Sequence, residues 1–379
     1  MYRNHIHYHP IGFFMHVLFL SPVSFFKGGA ERSLFDLLKN PHITAHVATP
    51  HKGPITEQAE ALGYATCIVP FGSIEQIHRP FSFIKACSAL ADLWKAAQHL
   101  KKECRMRNIT IVHSNGLKAH AINCLAYRLG GARAILHIRD IPYTNSELWV
   151  WKILARACDQ MIIVSRACWP TASLPNNVHI IYNGTPIIEH DHTPIVQTNT
   201  SINLGFVGRI HPAKGLHLLL EWMAHAKQHG SSLCLRIRGT FSEDAPDYEH
   251  EIHQKIHALG LEHDVFFDGF IDNPTELYQN IDVTIVPSHI PDPLPRSVME
   301  SMARGIPVCG YPAGGIKEMI IDKETGYFVS DAQSFSDALA HMQSNPERIA
   351  HMSKRAKQHI MQHFTLEALH RKVHALYEA

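Results

Sequence analysis

Residues 291–308 read PDPLPRSVMESMARGIPV and combine a proline-rich loop with the beginning of a helix. Three prolines at alternate positions cannot occupy a helix interior, so the chain before Arg296 is predicted to be a loop. From Ser297 onward, apolar side chains recur at helical spacing until Gly305 and Pro307 end the pattern. Ser297 is therefore the predicted N-cap residue of a short helix.

Two carboxylates, Asp292 and Glu300, stand eight positions apart in this segment. The unpaired amides of a helix N-terminus favour an anion, and carboxylates accept hydrogen bonds from hydroxyl groups. The arrangement therefore suits a ligand that carries a phosphate and several hydroxyls. The alternative interpretation is a capped helix with two surface acids.

A second candidate segment follows the apolar run 202–207 and reads GRIHPAKG, residues 208–215. Arg209 and Lys214 are five positions apart on a turn that begins at Gly208. The planar fork of arginine and the point charge of lysine suit a diphosphate. The alternative is a solvated basic loop.

Two paired glycines, Gly28 and Gly29, follow the apolar run 13–20 and precede a predicted helix. Glycines let the backbone approach a ligand closely, and the positive end of a helix favours an anion. The spacing is not GxGxxG, so the motif does not indicate a dinucleotide site. A further glycine pair, in AGG at 313–315, follows the helix of the first segment.

In this order and at these spacings, the four segments resemble those of the retaining glycosyltransferases of family 4, and the resemblance covers nearly the whole chain. It implies the GT-B fold, an α/β architecture of two Rossmann-like, doubly wound parallel-sheet domains that face a central cleft. The alternation of short apolar runs with amphipathic helical stretches independently predicts parallel sheets. The four motifs do not indicate which sugar is transferred.

The resemblance assigns the donor site to residues of the second half. Arg209 and Lys214, beside Gly208, are implied to hold the diphosphate of a nucleotide sugar and to offset charge on the leaving group. Glu300 is implied to accept the ribose hydroxyls. Asp292 occupies a position that usually holds Glu and contacts the transferred sugar, so its shorter side chain departs from the family pattern.

Backbone groups complete the implied donor site. The amides of Ser297 and Val298 would face the phosphate. The segment that contains Phe270 and Ile271 matches the one whose backbone contacts the nucleobase. The loop at 313–315 would close beneath the donor.

The first domain is implied to supply the acceptor side. Gly29 would meet the phosphate, with Gly28 beside it. His137 and Arg139 end a predicted strand where many relatives have a histidine-containing motif that touches the sugar, and the register leaves either residue as the match. We expect both to line the cleft, with His137 as a catalytic candidate and a buried strand-end histidine as the alternative. Asn115 is expected in a further acceptor-side loop.

Composition along the chain predicts a boundary between two domains. Residues 186–201 contain proline, threonine and charged residues without periodicity, which is typical of a linker. We therefore predict an N-terminal acceptor-binding domain at 1–187 and a C-terminal nucleotide-sugar-binding domain at 200–358. The resemblance implies that the last helix, 359–379, crosses back to the first domain.

The overall composition restricts the class of protein. The 379 residues are 45% hydrophobic and carry a formal net charge of +1, which predicts a globular protein with no nucleic-acid partner. The eight cysteines and thirty histidines show no metal-ligand clusters, so no divalent metal or other cofactor is expected. No segment is apolar over a sufficient length to span a bilayer, and a cytoplasmic location is expected.

One predicted helix, near 83–107, provides a candidate contact with a membrane. It carries Trp94 and ends in four cations, Lys101, Lys102, Arg105 and Arg107. Such a helix can dock on anionic lipid, and flotation with anionic vesicles at low salt tests this. The alternative is a packed helix whose cations compensate the dipole at its C-terminus.

These features predict a retaining transfer of a sugar from a UDP- or GDP-linked donor to a hydroxyl of a glycan or lipid-linked glycan, as in bacterial surface polysaccharide biosynthesis. Two alternatives remain. One is a nucleotide-sugar epimerase on the same fold, and the other is a non-catalytic nucleotide-sugar-binding protein. Turnover of a donor distinguishes the enzymes from the binding protein.

Overall fold

Two parallel sheets, one in each half of the chain, form the framework of the protein. The computed structural model describes residues 15–26, 28–76, 83–187 and 201–379, with only the backbone described at 83–88 and at Pro346. Both sheets are doubly wound, with α-helices between most successive strands. The predicted fold class is confirmed.

The first sheet has seven strands in the order β3-β2-β1-β4-β5-β6-β7, and every neighbouring pair is parallel. The interior strand β1 is buried over its last four residues, as expected for a parallel strand covered on both faces. The strands are β1 (Met15–Leu20), β2 (Ile43–Thr49), β3 (Ala65–Ile68), β4 (Ile111–Asn115), β5 (Arg133–Ile138), β6 (Gln160–Ile163) and β7 (Val178–Ile180).

The second sheet has six strands in the order β10-β9-β8-β11-β12-β13, again all parallel. The chain order reverses at β8, where β9 lies on one side and β11 on the other, and ligands of such sheets bind at this reversal. The strands are β8 (Ile202–Val207), β9 (Leu233–Arg238), β10 (Val265–Gly269), β11 (Val283–Val286), β12 (Val308–Gly310) and β13 (Gly326–Phe328).

Twelve α-helices connect and cover the sheets in the described part of the chain. Those of the first half are α1 (Gly29–Leu38), α2 (Pro54–Ala61), α3 (Phe83–Met106), α4 (Leu117–Arg128) and α5 (Asn145–Ala157). Those of the second half are α6 (Leu216–Gln228), α7 (Tyr248–Ala258), α8 (Arg296–Ala303), α9 (Ile316–Met319), α10 (Ala332–Gln343), α11 (Pro346–His363) and α12 (Leu366–Glu378).

The hydrophobic core is continuous across the boundary between the two halves. Ile138 and Trp151 of the first half lie in the same buried cluster as Val298 and Met302 of α8 and Ile360 of α11. Because this shared cluster is large and apolar, the two sheets are held against each other by more than the connecting chain.

The last helix packs on the first half of the chain, not on the second. Leu369, Val373 and Tyr377 of α12 are buried together with Val17 and Phe19 of β1. The C-terminal segment therefore adds a layer to the first sheet.

Two predicted boundaries differ from the structure. The helix after the proline-rich loop begins at Arg296 with Pro295 at the N-cap position, so the prediction of Ser297 as N-cap residue was wrong. The fixed φ of proline, −66° here, presets the entry into the first turn without a capping side chain. The domain end drawn at 358 falls inside α11, and most of the predicted linker lies outside the described residues.

Candidate functional site

A cavity of about 650 Å³ lies between the two sheets, at the carboxyl ends of their strands. Both halves of the chain line it. Among the residues named from the sequence, the cavity wall includes Gly28, Gly29, Arg139, Gly208, Arg209, Lys214, Phe270, Ile271, Asp292, Ser297 and Glu300.

Lys214 and Asp292 form an ion pair at the wall of the cavity, with Lys214 Nζ donating to Asp292 Oδ2. Lys214 ends a short 3-10 helix after β8, and Gly215 follows with φ at +73°. A Cβ atom on Gly215 would lie 2.0 Å from the carbonyl oxygen of Pro287, so only glycine allows this close approach. The other carboxylate oxygen, Asp292 Oδ1, accepts the amide of Leu294 at 3.1 Å.

The glycine pair at 313–315 supports the Asp292 loop from below. A Cβ atom on Gly314 would lie 2.2 Å from the carbonyl oxygen of Asp292, and Gly314 has φ at +55°. The amide of Gly315 donates to that same carbonyl at 2.9 Å. The loop expected beneath the donor therefore fixes the position of Asp292.

Arg209 lines the cavity but turns towards the loop after β9. Its Nη1 donates to Ser242 Oγ at 3.0 Å and lies 3.4 Å from Asp244 Oδ2. The side chain is 48% exposed, so this pair is screened by solvent and leaves the guanidinium available to a ligand. Ser242 and Asp244 were not predicted, because no periodicity marks the loop in which they lie.

Glu300 lines the cavity and is held there by two partners. Arg296 Nε donates to Oε1 at 3.1 Å, and the hydroxyl of Tyr278 donates to Oε2 at 3.0 Å. Burial and the neighbouring carboxylate raise the pKa of Tyr278 well above its ordinary value, so it stays a donor. Sequence reasoning missed Tyr278, whose only signal is an aromatic residue in a short turn before β11.

Arg296 also connects the two halves of the chain. Its Nη1 donates to Ser33 Oγ at 3.1 Å and to Asp36 Oδ2 at 2.7 Å, both on α1. Its side chain packs on Gly29, where a Cβ atom would lie 3.3 Å from Arg296 Cδ. Burial opposes the charge of Arg296, but the carboxylates of Glu300 and Asp36 outweigh it and raise the pKa of the guanidinium.

The first turn of α8 offers fewer amides than expected. Ser297 lines the cavity, in the first turn, where amides have no partner within the helix. Val298 is fully buried, and its amide donates to the carbonyl of Pro295 at 3.2 Å. The expectation that Val298 faces the phosphate is therefore not met.

The loop after β10 places an aromatic ring at the other end of the cavity. Phe270 is 62% exposed and lines the cavity beside Ile271. The guanidinium of Arg32, on α1, lies 5.9 Å from the centre of this ring. Two planar groups from opposite halves of the chain thus meet where the nucleobase was expected.

The strand-end residues of β5 separate into a buried and a cavity-lining position. Arg139 lines the cavity, but His137 is fully buried, and the expectation that His137 lines the cleft was wrong. The His137 ring lies in the sheet layer, with its Nδ1 3.0 Å from His113 Nε2, whereas Arg139 lies beyond the last strand residue, Ile138. Asn115 is also buried and accepts a hydrogen bond from Arg139 Nε at 3.2 Å.

The buried histidines form a chain that reaches the last helix. His113 Nδ1 lies 2.6 Å from the hydroxyl of Tyr377 on α12, and His120 lies 2.9 Å from Ser114 Oγ. Burial, followed by the nearby charge of Arg139, lowers the pKa of His113 and His137 well below the ordinary value and that of His120 to about 3. These rings are neutral at physiological pH.

A pH effect on stability follows from these shifts. The unfolded chain binds a proton at each histidine below about pH 6.5, whereas the fold does not, so stability falls as pH falls from 6.5 towards the lowered pKa. For His120 the loss at pH 5 is about 2 kcal/mol. We expect the free energy of unfolding, measured with urea, to decrease less between pH 7.5 and pH 5.0 for His120→Gln than for wild type.

The matched control is His257→Gln, because the His257 side chain is 85% exposed. It should show the wild-type decrease. An equal decrease in wild type and His120→Gln would mean that His120 is protonated within the fold.

Helix α3 and the residue that follows it carry the candidate membrane contact. Two of the four cations bind other groups of the protein. Lys101 donates to the carbonyl of Leu129, and Arg107 pairs with Glu103 at 3.0 Å. Lys102 and Arg105 are exposed, as is Trp94, at 55%. Contact with an anionic membrane stays a prediction.

Across the described residues, no helix is both long and apolar enough to cross a membrane. Among the same residues, no group of three or more His, Cys, Asp or Glu side chains is arranged to hold a metal ion. The alternating histidines His5, His7 and His9 lie outside the described part of the chain.

Comparison with known proteins finds a family model that matches part of the chain. Residues 187–359 match the family model described as Glycosyl transferases group 1. This segment, which is just under half of the 379 residues, is similar to the group 1 glycosyltransferases. The matched segment contains Arg209, Lys214, Asp292 and Glu300, so the family assignment covers the second-half wall of the cavity.

Two curated relatives illustrate what the chain is similar to. It is 27% identical over 180 residues to the putative glycosyltransferase YtcC of Bacillus subtilis, covering 46% of this chain and 44% of the relative. It is 25% identical over 253 residues to the putative colanic acid biosynthesis glycosyltransferase WcaL of Escherichia coli, covering 63% and 57%. The chain thus spans about half the length of the curated relatives it matches.

A solved structure extends the similarity of fold to nearly the whole chain. The crystal structure of Anabaena Alr3699/HepE in complex with UDP and glucose superposes with a TM-score of 0.78 at 22% identity, covering 96% of this chain and 100% of that one. The two halves of the chain together therefore show the GT-B fold.

Proposed function

We propose that this chain transfers a sugar, with retention of anomeric configuration, from a nucleoside diphosphate sugar to a hydroxyl of a glycan or lipid-linked glycan. The observation that carries the proposal is the convergence in one cavity of Arg209, Lys214, Ser297 and Glu300 opposite the glycine loop of α1. Two cations and a helix N-terminus suit a diphosphate, and a carboxylate suits ribose hydroxyls.

UDP is the proposed nucleotide, with GDP as the second choice. The HepE structures contain UDP, UDP with glucose, or UDP-glucose, and they share the fold of this chain. At the cavity end formed by Phe270 and Arg32, the base would stack on the aromatic ring or on the guanidinium.

The proposed acceptor is a glycan of a bacterial surface polysaccharide, and the proposed location is the cytoplasm. The relative WcaL is described as a putative colanic acid biosynthesis glycosyltransferase. An open, solvent-accessible cavity between two halves of the chain is compatible with an acceptor that enters from the first domain.

The chemical step would be attack on the same face of the sugar. The bond between the anomeric carbon and the diphosphate oxygen breaks, the acceptor oxygen bonds to that carbon, and the acceptor proton passes to the departing phosphate. Lys214 would stabilise the charge that develops on the diphosphate, and Asp292 would keep Lys214 in position through their ion pair. The protein then contributes positioning and charge stabilisation.

A thermal-shift screen against UDP, GDP, ADP and CMP, without added metal, tests the proposal. A ligand present at 100 times its dissociation constant stabilises the fold by about 2.7 kcal/mol, so one diphosphate should raise the midpoint by several degrees. The Lys214→Ala variant should lose this shift. No shift with any of the four at millimolar concentration would contradict a nucleotide-sugar site and favour a different role for the cavity.

Retention is tested separately on the product. The anomeric configuration, determined from the proton coupling constant of the new linkage, should match that of the donor. An inverted product would refute same-face attack but would leave the donor site in place.

A further inference from the structure

Arg139 differs from the other cations at the cavity wall in the groups that bind it. Four of the cations have carboxylate partners, namely Arg209, Lys214, Arg238 and Arg296. Arg32 lies over the ring of Phe270. Arg139 also lines the cavity, but its hydrogen bonds within the described residues go to neutral groups.

The three partners of Arg139 hold its guanidinium in one orientation. Nε donates to Asn115 Oδ1 at 3.2 Å, Nη1 donates to Asn183 Oδ1, and Nη2 lies 3.3 Å from His137 Nδ1. Arginine has one N–H group on Nε and two on each terminal nitrogen. Because each nitrogen makes one of these bonds, Nη1 and Nη2 each keep one N–H group for a ligand. Two N–H groups at this spacing form the fork that binds a phosphate or carboxylate.

The charges around Arg139 do not neutralise it. Burial, followed by repulsion from Arg296, lowers the pKa of Arg139 to about 10, although the carboxylates of Asp36 and Glu31 act in the opposite direction. Asp36 is bonded to Arg296, and Glu31 accepts the amide of Gly28 at 2.9 Å. An anion that binds from the cavity would therefore stabilise the charged guanidinium of Arg139.

The position of Arg139 indicates which substrate carries that anion. Arg139 follows β5 on the first half of the chain, whereas Arg209, Lys214 and α8 of the second half already suit the donor diphosphate. We propose that Arg139 binds an anionic group, a phosphate or a carboxylate, on the acceptor. This inference rests on the proposed function, and it restricts the acceptor to a charged glycan or a phosphate-bearing one.

The test uses protein saturated with the nucleoside diphosphate that binds in the thermal-shift screen, so that the donor phosphate positions are filled. Glucose 6-phosphate, glucuronate and neutral glucose are then titrated by calorimetry. A charge-assisted pair of hydrogen bonds should make at least one of the two anionic sugars bind about 10-fold or more tightly than glucose. The two anionic probes distinguish a phosphate from a carboxylate.

The variant Arg139→Gln should abolish this preference while retaining the affinity for the nucleoside diphosphate. Arg139→Lys, which keeps the charge but not the fork, should retain part of it. Lys102→Gln is the control for a general charge effect, because Lys102 is exposed on α3 outside the cavity. Circular dichroism melting verifies that each variant is folded.

Three results would overturn the inference. The first is that neither anionic sugar binds more tightly than glucose. The second is that the preference for an anionic sugar persists in Arg139→Gln. Alternatively, Arg139→Gln loses its affinity for the nucleoside diphosphate without any preference for anionic sugars, which would assign Arg139 to the donor phosphate. Failure of every nucleoside diphosphate to bind wild type would contradict the proposed function instead, and the same titrations without nucleotide would then decide the role of Arg139.

Discussion

Replacement of Lys214 by alanine is expected to lower kcat/KM for sugar transfer by about 100- to 1,000-fold, the usual cost of removing one group that stabilises a developing anion. Lys214 is the cation that the structure places against Asp292 at the cavity wall, on a turn whose backbone is fixed by Gly215. The loss should appear in kcat as well as in KM, because the charge on the diphosphate increases as its bond to the sugar breaks. Initial rates of nucleoside diphosphate release measure it.

A matched control exists in the same half of the chain. Lys227 pairs with Asp264, and the side chains of this pair are 33% and 21% exposed, compared with 30% and 18% for Lys214 and Asp292. Lys227 does not line the cavity, so Lys227→Ala should retain activity. Full activity in Lys214→Ala would defeat the assignment, and equal losses in the two variants would indicate an effect on stability alone.

The second large effect is expected at Glu300. Glu300→Ala should abolish measurable transfer, and Glu300→Gln should raise the KM for the donor by about 10-fold or more, since hydrogen bonds to a charged acceptor contribute about 1.5–3 kcal/mol. Glutamine keeps the shape of the side chain and can still accept from Tyr278. Steady-state kinetics with varied donor, together with thermal melting, separates binding from folding.

Asp36→Asn is the control for the second prediction. Asp36 binds the same Arg296 as Glu300 does, but from α1, and it does not line the cavity. If Glu300 acts through the ribose, Asp36→Asn should change the donor KM far less than Glu300→Gln. Similar changes in both would mean that the ion cluster between the two halves is responsible, and the ribose assignment would be wrong.

Local sequence pattern was sufficient for the architecture. Short apolar runs separated by amphipathic stretches predicted parallel sheets, and the described residues form thirteen parallel strands in two sheets. Parallel strands buried on both faces are marked by such runs whatever their partners. The cavity-lining glycines, Gly28, Gly29 and Gly208, and the charged residues Arg209 and Lys214 were found because each directly follows a strand or precedes a helix.

The errors came from features that depend on which face of an element meets which neighbour. His137 lies near the end of β5 and Arg139 directly follows it, yet the first is buried against His113 and the second lines the cavity. The amide of Val298 is not available to a ligand in the cavity, because in the first turn of α8 it donates to the carbonyl of Pro295. A one-dimensional pattern locates the end of an element, but the packing of the adjacent layer decides the direction of each side chain there.

The sequence by itself determined the two parallel sheets and located cations and carboxylates of the cavity wall, because local periodicity and closely spaced motifs encode them. Only the tertiary structure decided how the halves are joined. Arg296 reaches Asp36 across 260 positions of sequence, and His113 reaches Tyr377 across 264. It also showed Arg139 among neutral partners. Such contacts form when segments distant in sequence pack together, so the spacing of residues along the chain does not predict them.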